Sequence, residues 1–416
     1  MAAPPSAPVT PPVTAADVAT ARELLTGVVR TTPIAGARAL SELAGTPVHL
    51  KCENLQRTGS FKIRGAYTRI ARLTDEERAR GVVAASAGNH AQGVALAAQL
   101  LGVRATVFMP ERAALPKVDA TRGYGAEVVL GGQTVDDAVV AATAASEETG
   151  AVLVHPFDHP DVVAGQGTVG LEILEQVPDV GTVLISAGGG GLLGGVAAVL
   201  RAHRPGVRIV GVQAAGAAAW PASLAAGEPI PAGAMRTMAD GIAVGRPGEV
   251  TFPQVAGLVD EFVTVDEDAL SGALLHCLER AKLLVEPAGA APVAALLDHP
   301  GRWSGPIVPV LSGGNVDPLV LLQVVRHGLV ASSRYLTLHV PIADRPGSLA
   351  ELLALVGSLG ANVTDVAHSR IGGALPVGEV DVELSLETRG PEHRDAIVAG
   401  LRRAGHTVSV PPGREA

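Results

Sequence analysis

The sequence is short of cysteine and of clustered charge, and each shortage excludes a class of protein. Two cysteines in 416 residues, Cys52 and Cys277, are too few for a disulfide framework or a cysteine-rich zinc site. We therefore expect two free thiols in a reducing cytoplasm. The formal net charge of −9 comes without a basic stripe along the chain, which argues against a nucleic-acid partner.

Aromatic residues make up only 2% of the chain, although 47% of it is hydrophobic. The apolar mass is therefore Ala, Val and Leu, and together with 50 glycines it favours helices packed closely on a sheet. One uncharged stretch, Thr182–Leu200, is long enough to suggest a membrane span. The four consecutive glycines in its middle predict a strand, a loop and a helix instead, so we expect no membrane partner.

Residues 1–13 form a Pro/Ala-rich segment with neither the positive charge nor the apolar run of a signal peptide. We expect a disordered tail that ends where Thr14 can cap the first helix. From about Pro47 onward, β-branched runs alternate with helical patterns, as in VHLKCEN, FKIRGAYTRIARL and GVVAAS. This alternation predicts an α/β region over residues 14–331, with parallel strands, crossover helices and ligands beyond the carboxyl ends of the strands.

The pattern changes near Ser332, after which the strands carry alternating apolar and polar residues. Residues 334–410 give the order β-α-β-β-α-β, which describes a ferredoxin-like α+β unit. Its last strand is predicted in the sequence HTVSV, residues 406–410. We place the domain boundary within Gly328–Arg334.

Three glycine-rich stretches follow predicted strands: Ser86–Gly93, Ala187–Gly195 and Ser312–Asn315. The first two also open a helix, and the main-chain N–H groups of a helix N-terminus favour an anion. Lys62 stands between an aromatic residue and a stretch of Gly, Ser and Thr, and a lysine forced into a dry site loses its proton or does chemistry. Two anion sites and one such lysine suggest a ligand that carries both a phosphate and a carboxylate.

A dinucleotide-binding alternative arises because Gly189, Gly191 and Gly194 match the GxGxxG pattern. Such a site also needs an acidic residue at the end of the next strand, where it holds the ribose. The next strand, VRIVGVQA, offers Gln213 there. The sequence therefore argues against an NAD-dependent oxidoreductase.

In chain order, the stretches KCENLQRTGSFKIRGA, SAGNHAQG, SAGGGGL, EPAGA and SGGN resemble the motifs of the fold-type II pyridoxal-phosphate enzymes. Within that family the match is closest to the threonine ammonia-lyases, and it covers about Ala15 to Ala331. The C-terminal region resembles an ACT domain, the amino-acid-sensing module attached to many of these lyases. The resemblance implies open, twisted, mostly parallel sheets with helices on both faces, two α/β subdomains, and pyridoxal 5′-phosphate as the cofactor.

The resemblance also assigns roles to individual residues. Lys62 would form the Schiff base with the cofactor aldehyde, which requires a neutral amine and hence a dry pocket that lowers its pKa. The cofactor phosphate would be held by main-chain amides where side chains would block the approach, those of Gly188, Gly189, Gly190, Gly191 and Leu192. The other implied contacts are Phe61 and Asn89 at the cofactor ring, Ser312 at the pyridine nitrogen, Glu286 in the pocket, and Ser86, Gly88 and His90 near the substrate carboxylate. Glu286 could equally be an acidic residue that stabilises a helix N-terminus.

Ser312 connects this site to a type of reaction. Many pyridoxal enzymes place an aspartate at the pyridine nitrogen to keep it protonated, and a hydroxyl does not do so. The ring is then a weaker electron sink, which favours prompt expulsion of a β-leaving group. The resemblance therefore implies β-elimination from L-threonine, and to some extent from L-serine, giving 2-oxobutanoate or pyruvate and ammonia.

Two other functions stay open within the same fold. A serine or threonine racemase would need a second acid in the first glycine-rich loop, where this chain has Ala87. Related racemases hold a divalent cation after the strand that here reads IVGVQ, but Gln213–Trp220 offers no carboxylate, so we expect no metal. A non-catalytic amino-acid sensor would keep the fold without the chemistry, and the intact Lys62 argues against it.

The resemblance to an ACT domain implies an amino-acid site near Asp344, Arg345, Gly347 and Asn362. Isoleucine is the natural effector to consider, because it is the end product of the pathway that threonine deamination feeds. The alternative is a C-terminal domain that only dimerises or packs. We expect a cytoplasmic homodimer or homotetramer.

Overall fold

The computed structural model describes residues 12–370 and 376–410, which form two compact units, one ending at Pro318 and one beginning at Leu319. Most of the predicted N-terminal tail lies outside the described residues. Its last residue, Val13, is buried and exchanges main-chain hydrogen bonds with the side chain of Gln254 (2.9 and 2.8 Å). Val13 is therefore fixed in the core and does not belong to a disordered tail. Thr14 caps the first helix as predicted, with a reciprocal bond to Asp17.

Unit 1 alternates strands and helices along most of its length. Its helices are α1 (Ala15–Leu24), α2 (Arg38–Ala44), α3 (Lys62–Ala71), α4 (Asp75–Arg80), α5 (Asn89–Leu101), α6 (Leu115–Gly123), α7 (Val135–Thr149), α8 (Pro160–Gln176), α9 (Gly191–His203), α10 (Trp220–Ala226), α11 (Thr251–Leu258), α12 (Glu267–His276) and α13 (Pro287–Asp298). Its strands are β1 (Ile34–Gly36), β2 (His49–Lys51), β3 (Val82–Ala85), β4 (Ala105–Met109), β5 (Glu127–Leu130), β6 (Val152–Leu153), β7 (Thr182–Ser186), β8 (Arg208–Ala214), β9 (Glu261–Val265) and β10 (Ile307–Pro309).

These strands build two parallel sheets, in the orders β5-β4-β3-β6 and β10-β7-β8-β9. The short strands β1 and β2 pair antiparallel, and β2 also bridges to the β10 edge at Lys51 and Val310. The predicted fold class, an α/β fold with open, mostly parallel sheets, is confirmed. The two sheets form because the strands divide into two sets along the chain, one before α8 and one after it.

Unit 2 contains α14 (Pro318–Ala331), β11 (Tyr335–Ala343), α15 (Ser348–Ser358), β12 (Asn362–Ser369), β13 (Glu379–Glu387) and α16 (Pro391–Arg403). Its sheet is antiparallel in the order β11-β13-β12, and the helices cover a core that includes Leu338, Leu352 and Leu384. The predicted last strand is reduced to a single bridge between Ser409 and His339.

The division between the units lies ahead of the predicted boundary. Helix α14 groups with unit 2, whereas the sequence pattern assigned it to the α/β region. The helix leads into β11 through a tight turn, in which the Arg334 N–H donates to the Leu329 carbonyl and the Ser333 N–H to that of Val330. This continuous connection ties α14 to the sheet that follows it.

No helix among residues 12–370 and 376–410 is long and apolar enough to cross a membrane. The uncharged stretch Thr182–Leu200 instead divides into β7, a glycine loop and α9, as its four glycines predicted. Helix α9 is buried along most of its length.

Helices α3, α8 and α9 pack with their backbones in direct contact. A β-carbon on Gly165 of α8 would lie 2.5 Å from the Arg64 carbonyl oxygen of α3. A β-carbon on Gly195 of α9 would lie 2.2 Å from the Val163 carbonyl oxygen of α8, and one on Gly167 would lie 2.7 Å from the Gly195 carbonyl oxygen. Only glycine permits such approaches, so these contacts fix α3 and α9 against the same helix.

We predict that Gly195→Ala lowers the free energy of unfolding by about 2 kcal/mol or more, because the added methyl overlaps a main-chain carbonyl that cannot rotate away. Thermal and urea unfolding of the purified protein measure the change. Gly272→Ala in α12 is the matched control, since its β-carbon meets no atom within 4 Å and alanine is the better helix former. Equal stability of the two variants would contradict the prediction.

Candidate active site

A cavity of about 950 Å³ in unit 1 brings together the three glycine-rich stretches and Lys62. It lies beyond the carboxyl ends of β3 and β7, where ligands bind in open parallel sheets. Every residue predicted for the catalytic, cofactor and substrate sites lines it: Phe61, Lys62, Ser86, Gly88, Asn89, His90, Gly188, Gly189, Gly190, Gly191, Leu192, Glu286 and Ser312.

Lys62 is the first residue of α3, and its side chain is half-buried in the wall of the cavity. The Nζ amine donates to the main-chain carbonyl of Pro156 (2.9 Å) and lies 5.2 Å from the centre of the Phe61 ring. Burial lowers the pKa of Lys62 to about 8, although the nearby Glu286 carboxylate acts in the opposite direction. With this pKa an appreciable minority of the amine is neutral near physiological pH, whereas an ordinary lysine is almost fully charged.

A buried network of four charges holds the segment on either side of this lysine. Arg64 donates twice to Glu53 (2.8 Å each) and pairs with Glu172 of α8 (2.7 Å), and Lys51 pairs with the other Glu172 oxygen (2.5 Å). Burial acts to raise the pKa of Glu172, but Arg64 and Lys51 hold it below its ordinary value. Removing one member would leave an unpaired buried charge, so the network rigidly locates the start of α3.

The loop after β7 presents main-chain amides to the cavity. Within the part of the chain that the structure describes, no acceptor is bonded to the N–H groups of Gly188–Leu192. The carbonyls of Gly188 and Gly189 accept from the Trp220 indole (2.7 Å) and the Thr251 hydroxyl (2.6 Å). The loop thus has its acceptors satisfied and its donors free, at the positive end of α9, which suits a phosphate.

Large side chains behind the loop explain why its residues are glycines. A β-carbon on Gly189 would lie 2.4 Å from the Phe157 ring, and one on Gly190 would lie 2.6 Å from the Trp220 ring. Gly190 also has φ of +97°, which side chains disfavour. Trp220 stacks with Phe252 and Phe262, at 6.0 and 5.5 Å between ring centres. Phe157 and Trp220 thus back the glycine loop, and two further aromatic rings support Trp220.

Sequence reasoning missed the segment His155–Asp158, to which it assigned no role in the site. The strand is just Val152–Leu153, and the chain then bends along the cavity. Pro156 accepts the hydrogen bond from Lys62, Phe157 packs on the glycine loop, and Asp158 accepts from three main-chain N–H groups at the start of α11. The position of this segment could have identified it, because residues that follow the carboxyl end of a parallel strand face the ligand site.

The N-terminus of α5 also opens into the cavity. Gly88 is the N-cap residue of the helix, and no atom lies within 4 Å of the place where a β-carbon would be. The Ser86 hydroxyl accepts from the Gly88 N–H (3.1 Å). His90 is buried, and its Nε2 contacts the Val154 carbonyl oxygen (2.7 Å), so this nitrogen carries the hydrogen. Burial, with Lys62 nearby, lowers the pKa of His90 to about 3, so the ring is neutral and positions the loop without offering a cation.

The remaining polar residues of the site lie around Asn89. The Asn89 amide donates to Glu286 (2.7 Å), whose pKa is raised to about 7 by burial and by Asp240. Glu286 precedes α13 but makes no capping bond, so its carboxyl group serves the cavity. Ser312 is buried, and its carbonyl accepts from the Phe61 N–H (3.2 Å) while its hydroxyl lines the cavity.

The predicted regulatory residues are only partly brought together. A cavity of about 210 Å³ in unit 2 is lined by Asp344 and Arg345, but neither Gly347 nor Asn362 is among its lining residues. Asn362 donates to Glu387 on the neighbouring strand (2.9 Å). The cavity also includes two residues that sequence reasoning missed, His368 and Arg370, and Arg370 pairs with Asp344 (3.3 Å).

A family model described as pyridoxal-phosphate dependent enzyme matches residues 25–313. An L-threonine ammonia-lyase of Geobacter sulfurreducens is 50% identical over 92% of this chain and 95% of its own. The solved structure of a T.th. threonine deaminase is 44% identical, with a TM-score of 0.70, over 73% of this chain and 99% of its own. A maize serine racemase structure is 37% identical, with a TM-score of 0.72, over 76% of this chain and 98% of its own.

The residues in the cavity fit pyridoxal phosphate. Free amides at Gly188–Leu192 suit its phosphate, and the Lys62 amine can reach an aldehyde in the same cavity. Phe61 offers a ring, and Asn89 and Ser312 offer polar groups for the pyridine substituents.

We predict that Lys62 of the folded apoprotein titrates near pH 8, whereas in the denatured chain it titrates near 10.5, because burial disfavours the charged amine. Competitive acetylation at several pH values, read by mass spectrometry of the Lys62 peptide, measures the neutral fraction. The same peptide labelled in denaturant is the internal control. Coincident folded and denatured profiles would show that the site does not desolvate the amine.

Proposed function

The chain belongs to the family of pyridoxal-phosphate-dependent enzymes, and we infer that it deaminates L-threonine to 2-oxobutanoate and ammonia. The observation that carries this conclusion is a single cavity in which a half-buried lysine amine meets the free amides of Gly188–Leu192, in a chain that resembles an L-threonine ammonia-lyase over most of its length. L-serine lacks only the methyl group, which is worth about 1–3 kcal/mol of discrimination, so it also reacts, to pyruvate and ammonia.

Pyridoxal phosphate, when bound, supplies an electron sink that acidifies the α-proton of the amino acid. We propose that the amides of Gly188–Leu192 hold its phosphate and that Lys62 bonds covalently to its aldehyde. Phe61 and Asn89 would contact the ring, and Ser312 would contact the pyridine nitrogen. These roles are supported by the free amides and by the shared cavity.

Lys62 is the proposed base that takes the α-proton, at its Nζ atom. Burial lowers its pKa to about 8, so an appreciable minority of the released amine is neutral near physiological pH and can accept a proton. The Pro156 carbonyl, which accepts from Nζ at 2.9 Å, orients the amine. A carbonyl cannot donate, so this contact leaves the nitrogen lone pair free for the substrate.

Helix α5 is the proposed site for the substrate carboxylate. Its N-terminal amides open into the cavity at Gly88, and the helix dipole favours a negative charge there. The neutral His90 adds no charge of its own to this site. Binding the carboxylate here would hold the α-carbon of the substrate in the same cavity as Lys62.

Ser312 favours elimination over reactions that need a long-lived carbanion. Its hydroxyl is neutral and cannot protonate a pyridine nitrogen as an acid would. The β-hydroxyl of threonine is then expelled soon after the α-proton leaves. The proposed site therefore selects β-elimination through the residue type at position 312.

Racemisation is a second candidate, favoured by the likeness to a serine racemase structure. That reaction needs an acid on the face opposite Lys62. Ala87, which lines the cavity in the first loop, offers none. Chiral analysis of threonine and serine recovered from the reaction distinguishes the two activities, and formation of the D-enantiomer would favour the racemase.

We predict that Lys62→Ala lowers 2-oxobutanoate release from L-threonine by at least about a thousandfold, because it removes both the covalent attachment and the base. Lys62→Arg keeps the positive charge but forms no such bond, and should be equally inactive. Lys282→Arg, at an exposed lysine outside the cavity, is the matched control. Coupled assays of 2-oxobutanoate and ammonia measure all four proteins, and turnover by Lys62→Ala would overturn the assigned role.

We also propose that unit 2 regulates the enzyme by binding an amino acid in its cavity. The support is the cavity itself, in which Arg345 can pair with a carboxylate and Asp344 with an amino group. The apolar Ile342 and Leu349 in the same wall suit an aliphatic side chain. Regulation requires a coupling free energy between this cavity and the active site.

We predict that L-isoleucine changes the rate of threonine deamination and that Arg345→Ala weakens this response at least about tenfold, because a charged hydrogen bond to the effector carboxylate is lost. Arg403→Ala, at an exposed arginine of α16, is the control. Steady-state rates against isoleucine concentration provide the measurement. An unchanged rate at every concentration would mean that isoleucine is not the effector.

We further propose that the enzyme works in the cytoplasm as a homodimer or homotetramer. Both cysteines are buried free thiols, which a reducing compartment preserves. Burial raises the pKa of Cys52 to about 11, so this thiol is unreactive in the folded chain.

A further inference from the structure

Three side chains from distant parts of unit 1 form a continuous hydrogen-bonded chain beside the active-site cavity. Asn315 Nδ2 donates to Asn89 Oδ1 (2.8 Å), and Asn89 Nδ2 donates to Glu286 Oε1 (2.7 Å). Asn315 Nδ2 also donates to the main-chain carbonyl of Thr58 (2.6 Å). This series of hydrogen bonds thus joins the segment of Thr58, just before Lys62, to the start of α5 and the start of α13.

The main chain fixes the direction of every bond in this series. The Thr58 carbonyl can only accept, so it must face the NH₂ end of the Asn315 amide. That NH₂ group must then face the oxygen of Asn89, and the NH₂ end of Asn89 is turned toward Glu286. An ionised carboxylate can only accept, so Glu286 favours the same orientation from the other side.

Glu286 is held in place by its surroundings. Its carboxyl group is buried, and its main-chain N–H donates to the Gly313 carbonyl (3.0 Å). A β-carbon on Gly313 would lie 2.3 Å from Glu286 Oε1, so glycine leaves the space that the carboxyl group fills. Glu286 therefore presents its oxygen to Asn89 from a fixed position.

We propose that Asn315 and Glu286 are positioning residues that lock the Asn89 amide with one N–H left for the cofactor ring. The NH₂ group of Asn89 carries two hydrogens, and Glu286 takes one. The other has no acceptor among the described residues, and Asn89 lines the cavity. If the Asn89 amide were flipped, its oxygen would face the oxygen attached to the cofactor ring, and the two oxygens would repel each other.

This inference rests on the proposed function, because it concerns the residue proposed to contact the cofactor ring. It goes further by assigning roles to Asn315 and Glu286. Preorganised donors cost no rotation when the ligand binds, so their loss should appear as weaker cofactor binding as well as slower turnover.

The test is a double-mutant cycle on cofactor affinity, with pyridoxal phosphate titrated into apoprotein and followed by the visible absorbance of the bound form. Asn89→Ala and Asn315→Ala should each weaken binding about tenfold, as expected for one hydrogen bond. If Asn315 acts through Asn89, the double variant is no weaker than Asn89→Ala alone. Additive losses would mean that Asn315 has an independent structural role, and would overturn the proposal.

Variants of Glu286 give a second double-mutant cycle, and they leave the hydrogen bond from Asn315 to the Thr58 carbonyl intact. Glu286→Gln keeps an oxygen that can accept from Asn89 and should retain most of the affinity, whereas Glu286→Ala should lose about tenfold. The loss from Glu286→Ala should also vanish in the Asn89→Ala background. A full loss in that background would overturn the proposal even if Asn315 variants fail to fold.

Asn54→Ala is the matched control. Asn54 is a buried amide that lies beside Gly314 and donates to the Leu284 carbonyl (3.0 Å), but it is not part of the chain of bonds. It should leave the affinity for pyridoxal phosphate unchanged. If the wild-type apoprotein binds no pyridoxal phosphate, the proposed function itself fails. If the wild type binds it but the affinity losses of the variants add up, only the positioning role of Asn315 and Glu286 fails.

Discussion

The close approach of helices α3, α8 and α9 is the constraint on which the rest of unit 1 depends. Lys62 is the first residue of α3, and the loop proposed to bind the phosphate leads into the start of α9, so both candidate elements lie at helix N-termini. Glycines at 165, 167 and 195 let both helices touch α8 backbone to backbone. A larger residue at any of these contacts would change the distance between the amine and the loop.

The groups proposed to bind anions in the cavity are main-chain amides at helix N-termini and not charged side chains. In the cavity, His90 is neutral, Ser312 has a hydroxyl, and the amides of the glycine loop have no acceptor among the described residues. Desolvation is the main cause of the lowered pKa of Lys62, so the neutral amine becomes accessible near pH 8 without a second cation beside it. In the proposed site, Lys62 and two helix N-termini face a substrate and a cofactor that bring their own negative charges. Four charged side chains are buried behind the lysine, where they pair with one another: Lys51, Glu53, Arg64 and Glu172.

Much of the fold and most of the cavity could be predicted from the sequence, because the signals were local. Alternating strands and helices indicated parallel sheets, and the glycine stretches after strands marked the places where β3 and β7 end at the cavity. The parts that escaped prediction depend on contacts between distant segments. Thr251 and Trp220 hold the glycine loop from behind, and Asn315 reaches Asn89 across more than half of the chain. No periodicity or motif encodes such pairings.

The same reasoning explains why the residues around the site are so restricted in type. Three glycines in or beside the site each face a larger side chain at close range: Phe157 at Gly189, Trp220 at Gly190, and Glu286 at Gly313. The glycine in each pair supplies the space, and the larger residue fills it. A cavity built in this way keeps its donors in place before any ligand arrives. Affinity and rate then depend on residues that touch no ligand, because they determine where the touching residues stand.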